Sequence, residues 1–198
     1  MVIVPNEFVW IHNPKVAGTN VREQLLKQFP QAEDIRGFGN KGDLEVAFAH
    51  MPLEFLAEYL PESIQQIKKL FSFGFARNPY DRVLSAFNFQ QRRAKNMPRQ
   101  FTKYKNFSEF IEKQQEIKKA EDYISIPQYK YFSIQEEKMV DLVLKIEEFK
   151  GKVIELNHIR MDFTIITNTG DKQRKQLNKQ EKALVEKYYA KDFELLGY

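Results

Sequence analysis

The sequence predicts an α/β domain with a central, mainly parallel sheet flanked by helices, in a single domain over residues 1–198. Three observations predict it. A strand–loop–helix unit spans 7–29, and a second spans 70–93. In both, an apolar run ends at an Asn-Pro breaker, Asn13-Pro14 in the first and Asn78-Pro79 in the second. The composition supplies a core: 42% of residues are apolar, and 17 Phe and 9 Tyr argue against disorder.

The elements follow in chain order. Glu7 to His12 (EFVWIH) is a short run rich in β-formers, read as a buried strand. From Asn20 to Phe29, Val21, Leu25, Leu26 and Phe29 recur at helical spacing. Residues 31–43 are polar with three Gly and read as loop. Leu44 to His50 reads as a second strand, Leu53 to Leu60 as a short helix, and Ile64 to Lys69 as another. Leu70 to Ala76 (LFSFGFA) is a third strand. Asn78 is a good helix cap and Pro79 suits the first helical position, so a helix is expected to about Arg93, with Val83, Leu84 and Phe87 inward. Phe107 to Lys119 reads as an amphipathic helix, and Met139 to Ile146 as a fourth, buried strand, with a helix as the alternative. Lys150 to His158 and Asn178 to Ala190 read as helices.

Several functions are excluded early. The chain has no cysteine, which removes disulfides, thiolate catalysis and Cys-based metal sites. No metal-ligand spacing stands out. The first residues, MVIVPNEFVWIHNPK, lack a basic segment followed by a long apolar one, so no signal peptide is read. No stretch approaches the ~18 apolar residues of a membrane span. Net charge is +4 with pI near 9.0, but the charge is uneven. Between Gln90 and Lys105 stand Arg92, Arg93, Lys95, Arg99, Lys103 and Lys105, with no acidic residue. Such a run is a solvated surface or a landing site for an anionic partner.

Two constellations carry chemistry. The first is the loop PKVAGTN, from Pro14 to Asn20, between a strand and a helix. Gly18 lets a ligand approach the backbone, and the N–H groups of residues 17–20 at a helix N-terminus form an anion site. Lys15 adds a point charge, and Thr19 and Asn20 add side-chain hydrogen bonds. The Walker A pattern is not met: its first Gly is missing, and here the Lys precedes the Gly. The second is FARNPYDRVLSAF, where Arg77 ends a strand ahead of an Asn-capped helix and Ser85 lies two turns along it. A guanidinium there can fork onto a phosphate. Taken singly, each constellation also reads as plain structure: a turn with a helix cap, or Arg77 and Arg82 in structural ion pairs.

Together, in this order and separation, they resemble the 3′-phosphoadenosine 5′-phosphosulfate (PAPS)-dependent sulfotransferase superfamily. The likeness is to its carbohydrate branch, the heparan 2-O- and chondroitin-type enzymes. That branch has an early I-P-K-x-[AG]-G-[TS] loop and a later R-[ND]-P-x-x-R-x-x-S-A-[FY] segment, seen here as His12 to Asn20 and Arg77 to Phe87. The ending YYAKDFELLGY is also similar to the branch's ending. The resemblance implies a P-loop-like three-layer fold and sulfuryl transfer from PAPS to an acceptor hydroxyl of a carbohydrate, leaving 3′,5′-phosphoadenosine. It implies no metal, no nucleic-acid partner and no membrane span.

Carried onto this sequence, it places the 5′-phosphosulfate on Lys15, Val16, Ala17, Gly18, Thr19 and Asn20, and the 3′-phosphate on Arg77 and Ser85. Lys15 would stabilise charge on the leaving oxygen, and His50, where the branch carries a His or Glu, would be the general base, with His12 second choice. Arg92, Arg93 and Glu147 are candidate acceptor contacts. Asn168-Thr169 loosely resembles a late Asn-x-[Ser/Thr] region near the donor. The short chain, without the anchor and cysteines of eukaryotic relatives, fits a soluble cytoplasmic microbial enzyme. Two other readings stay open from the residues alone: a nucleotide or small-molecule kinase on a related scaffold, and a non-catalytic polyanion binder using the 90–105 run.

Overall fold

The computed structural model describes residues 1–41, 44–99, 101–113, 122–164 and 176–198; the side chains of 38–41, 44–47 and 50 lie outside that description. The chain opens with strand β1 (Val2–Val4), which turns at Asn6 (φ 64°) into β2 (Phe8–Ile11). The two pair antiparallel, Val2 with Trp10 and Val4 with Phe8. Helix α1 (Gly18–Gln28) follows, then β3 (Glu33–Asp34), which pairs antiparallel with β1. Strands β4 (Phe38–Lys41) and β5 (Leu44–Ala47) form a separate hairpin, ending in a 3-10 turn at Phe48–His50. Helices α2 (Leu53–Tyr59) and α3 (Pro61–Lys69) lead to β6 (Phe71–Ala76), parallel to β2 with Phe8 opposite Phe71.

Helix α4 (Pro79–Asn96) and the short α5 (Phe107–Glu112) come next, then 3-10 turns at Asp122–Ser125 and Gln128–Tyr131. A small hairpin, β7 (Ser133–Ile134) and β8 (Glu137–Lys138), precedes β9 (Leu142–Lys145), which lies parallel to β6. A 3-10 turn at Ile146–Phe149 leads to the hairpin β10 (Val153–Leu156) and β11 (Ile159–Asp162). Helices α6 (Lys179–Tyr188) and α7 (Ala190–Leu196) end the chain.

The central sheet has the order β3-β1-β2-β6-β9. Only β1 runs against the other four, because β3 is antiparallel to β1 as β1 is to β2. The fold is therefore mixed α/β with a mostly parallel sheet. The period of two sorts side chains between its faces. Phe8 and Trp10 of β2 and Phe73 and Phe75 of β6 pack with Val21 and Leu25 of α1 and with Ile159 and Met161 of β11. Val9 and Ile11 of β2 and Ala76 of β6 pack the other way, against Leu53, Leu56, Ile67, Tyr123 and Phe132. Gly74 makes the second face possible: a Cβ there would run into the Phe132 ring. A third cluster joins α4, α5 and α6 through Val83, Phe107, Phe110 and Val185.

Five expectations need correction. Residues 31–43 are not all loop, since β3 and β4 fall there. The second expected strand narrows to Leu44–Ala47, and among the described residues it pairs only with β4, outside the central sheet. The fourth strand narrows to Leu142–Lys145. The expected helix at 150–158 is half of the β10–β11 hairpin: Leu156 faces Ile159, and Asn157 (φ 54°) turns the chain in the left-handed conformation that Asn tolerates. The expected last helix is two, broken at Tyr189 and extended to Leu196. The helix expected at 107–119 is seen over Phe107–Glu112, and its part beyond 113 lies outside the described residues.

Candidate functional site

Because β2 and β6 are parallel neighbours, their ends at Ile11 and Ala76 reach the same edge of the sheet. The loops that follow, 12–17 and 77–78, therefore meet. The Arg77 Nη1 donates to the Lys15 carbonyl at 3.3 Å. The two sequence constellations are thus one surface.

The first loop is bent in an unusual way. Lys15 (φ 68°) and Ala17 (φ 62°) both take the left-handed conformation, with Val16 between them outside it. For a non-glycine residue this costs on the order of 1 kcal/mol or more. Such alternation turns successive N–H groups to one side and forms a concavity for an anion. Helix α1 opens directly from it, with no side-chain cap and no acidic residue in its first turn. The N-terminus of α4 is different: the Asn78 side chain accepts from the Tyr80 N–H, and Asp81 sits in the first turn. Of the two helix ends at this edge, that of α1 is open to an anion and that of α4 is closed by its own residues. Gly18 lies under the His12 ring, which itself stacks on Trp10 with centroids 5.0 Å apart.

Helix α4 presents a face to this loop. Arg82, Ser85, Phe89 and Arg92 follow each other at steps of three and four residues, the spacing of one helix face. Arg82 Nε donates to the Pro14 carbonyl at 3.2 Å, and Lys15 Nζ stands 4.0 Å from the Phe89 ring centroid. The guanidinium carbons of Arg92 and Arg93 lie 5.7 and 5.4 Å from that ring. Three cations thus gather around one aromatic ring. Burial, and then Arg92, Arg77, Arg82 and Arg93, push the Lys15 ammonium down to about 8. The four charges that lower it are all positive, so this corner of the molecule carries a concentrated positive field.

Other expected site residues are placed as follows. Thr19 is exposed, and Asn20 is half-buried, its side-chain oxygen accepting from Gln24 at 2.6 Å. Ser85 is half-buried on the α4 face just described. Glu147 has both oxygens engaged, one by the Asn78 N–H at 2.6 Å and the other by the Tyr198 hydroxyl at 3.1 Å. It ties the start of α4 to the chain's last residue. His50 closes the turn after β5, and its side chain lies outside the described residues, as do Asn168 and Thr169. His158 is remote, paired with Glu7 at 2.6 Å.

Five residues around the site escaped the sequence reading as functional: Asn13, Arg82, Phe89, Gln128 and Asp192. Arg82 is fully buried and donates to the carbonyls of Pro14, Ile126 and Ile124. An ion pair was one reading for it; its direct bonds are to backbone oxygens instead. Phe89 was findable, standing four residues after Ser85 on the same helical stripe. Arg82 stands at the second Arg of the R-[ND]-P-x-x-R segment, Asn13 in the Asn-Pro breaker and Asp192 in the family-like ending, while Gln128 has no local signal. Among the described residues no group of three or more His, Asp or Glu is placed to hold a metal ion, and no helix is long and apolar enough to cross a membrane.

A family model described as "Sulfotransferase family" matches residues 2–198. No curated protein and no solved structure matches the chain.

Proposed function

The chain belongs to the sulfotransferase family, and from that premise we propose that it transfers a sulfuryl group from PAPS to a hydroxyl of an anionic saccharide. The observation that carries the donor assignment is the meeting of the Lys15 loop and Arg77 at one strand edge, where four arginines act on Lys15. A bisphosphorylated nucleotide presents two anionic groups. The nest at 15–17 and the uncapped start of α1 suit the 5′ group, through the N–H groups of Val16 to Asn20 with Lys15 and Thr19. The Arg77 fork and the Ser85 hydroxyl suit the 3′-phosphate.

The donor, when bound, supplies the sulfuryl group and a phosphate leaving group. The protein's part is positioning and charge stabilisation. Lys15, the first residue of the nest, meets charge that grows on the leaving oxygen. Its partial burial strengthens that interaction and holds the amine near Phe89. His50 is the proposed base that takes the acceptor proton, on the strength of its residue type and its place after β5. Arg92 and Arg93, beyond Lys15 on α4, would hold the acceptor's negative groups. Glu147, with both oxygens occupied, serves the loop at Asn78 rather than the acceptor.

Calorimetric titration with 3′,5′-phosphoadenosine, beside ADP and magnesium-ATP, tests the donor. Metal-independent binding of the bisphosphate, lost in Arg77→Ala, is expected. Preference for magnesium-ATP would overturn the reading in favour of a kinase. Transfer assays with sulfated and neutral saccharides then test the acceptor. Arg92→Ala with Arg93→Ala should raise the KM for charged acceptors by more than it weakens donor affinity, which loses only the two cations' long-range pull on the site.

A further inference from the structure

Behind the two loops lies a polar network whose key members, Asn13, Arg82, Gln128 and Asp192, are all buried to 0% exposure. Gln128 is its hub. Its Oε1 accepts from Asn13 Nδ2 at 3.0 Å and from the Arg77 N–H at 3.1 Å. Its Nε2 donates to the Arg77 carbonyl at 2.6 Å. One amide therefore satisfies both backbone groups of Arg77, as a neighbouring strand would, just past the end of β6. The same amide holds Asn13, whose Nδ2 also donates to the Phe75 carbonyl at 3.0 Å. One amide thus holds the Arg77 backbone of the second loop and the Asn13 side chain of the first.

Gln128 is itself seated. Asp192 of α7 accepts from the Gln128 N–H through Oδ2 and from the Tyr129 N–H through Oδ1, both at 2.9 Å. Both carboxylate oxygens are spent on the turn that carries Gln128. Burying that carboxylate is costly, and burial pushes Asp192 up to about 6 against the pull of Arg82 and the two N–H donors. A mere helix-to-turn contact does not need a charge at this depth; a fixed reference point for a functional loop does.

We propose that Gln128, seated by Asp192, is a positioning residue that sets the Arg77 backbone relative to the Lys15 loop. Bidentate capture of a phosphate tolerates little displacement: a shift of ~1 Å costs about 100-fold in a reaction that depends on alignment. The proposal rests on the reading above that these loops hold the bisphosphate donor.

The test uses the full chain and 3′,5′-phosphoadenosine as probe. Gln128→Met keeps the length and removes all three bonds. Its affinity, measured well below its thermal midpoint, should fall at least tenfold, with kcat falling and the acceptor KM unchanged. A purely structural role would lower the midpoint and leave the affinity of the folded fraction intact. Asp192→Asn is the second variant, needed if Gln128→Met does not fold. It keeps the Gln128 amide and one of the two seating bonds, and should weaken bisphosphate binding several-fold. Wild-type affinity in a folded Gln128→Met, or in folded Asp192→Asn when the first variant does not fold, overturns the positioning role alone. Failure of the wild-type protein to bind the bisphosphate overturns the donor reading and this proposal with it.

Discussion

The His12 ring stands where a side chain at position 18 would have to go. A Cβ built on Gly18 falls inside the contact distance of His12 Nε2 and Cδ2, and Cε1 is only 3.2 Å away. The loop can bring its N–H groups together only because residue 18 has no side chain. Gly18 is not in the left-handed region, so alanine there meets a steric obstacle and no backbone strain. Gly18→Ala should fold and lose at least tenfold in bisphosphate affinity, measured by calorimetry. Adding His12→Ala should restore most of that loss. A double variant no better than the single would place the obstacle elsewhere.

Arg82 predicts a stability effect instead. Its guanidinium serves three backbone carbonyls from a fully buried position. Arg82→Met fills similar space and leaves all three without that donor. The expected loss is about 3 kcal/mol, or a fall of about 10 °C in thermal midpoint for a chain of this size. Combined with Asp192→Asn, which removes the charge that Arg82 faces, the losses should fall short of additive by about 1 kcal/mol. An unchanged midpoint in Arg82→Met would contradict this account.

How far these features were legible in the sequence depends on the range of the interaction. The strands Phe8–Ile11 and Phe71–Ala76 and the helices after them were readable, because apolar runs, breakers and caps act within a few residues. Lys15, Gly18 and Arg77 could be singled out for the same reason, since a glycine turn and an Arg ahead of a capped helix are local features. The hairpin at 153–162 was not: Ile154 and Leu156 fit a strand face, but Glu and Lys nearby suit a helix, and only pairing with Met161 and Ile159 decides. β1 and β3 are too short to signal alone. Gln128 reaches Asn13 across 115 positions, and Asp192 reaches Gln128 across 64. No local pattern announces such bonds. The likeness of the chain's ending to a family ending was visible, and Asp192 gives that ending a physical use.

Lys15 predicts a pH dependence of donor binding. Burial and four neighbouring cations hold its ammonium near 8 in the free protein. An anionic ligand favours the charged form and raises that value, so binding takes up a proton once the pH passes about 8. Bisphosphate affinity should be flat between pH 7 and 8 and then fall, by up to tenfold per unit. Lys15→Met should bind weakly with no such fall. Wild-type affinity that stays level to pH 10 would mean that Lys15 does not face the anion.

Asp192 predicts a pH effect on stability that is likewise unfavourable as pH rises, but in a lower window. Its carboxyl is raised from an ordinary 3.8 to about 6 in the folded protein, chiefly by burial, with Arg82 and the N–H groups of Gln128 and Tyr129 opposing. Below about 4 it is protonated in both states and costs nothing. Between about 4 and 6 the folded state holds the proton more tightly, so stability from this group falls as pH rises. Above 6 it is charged in both states, and the full cost, on the order of 3 kcal/mol, is present. Asp192→Asn does not titrate. The stability difference, wild type minus variant, should therefore be most favourable to wild type near pH 4 and decline through pH 6, as read by urea unfolding. A difference that is flat, or that grows with pH, would mean that Arg82 and the two backbone donors outweigh burial, and that the carboxylate stabilises the fold outright.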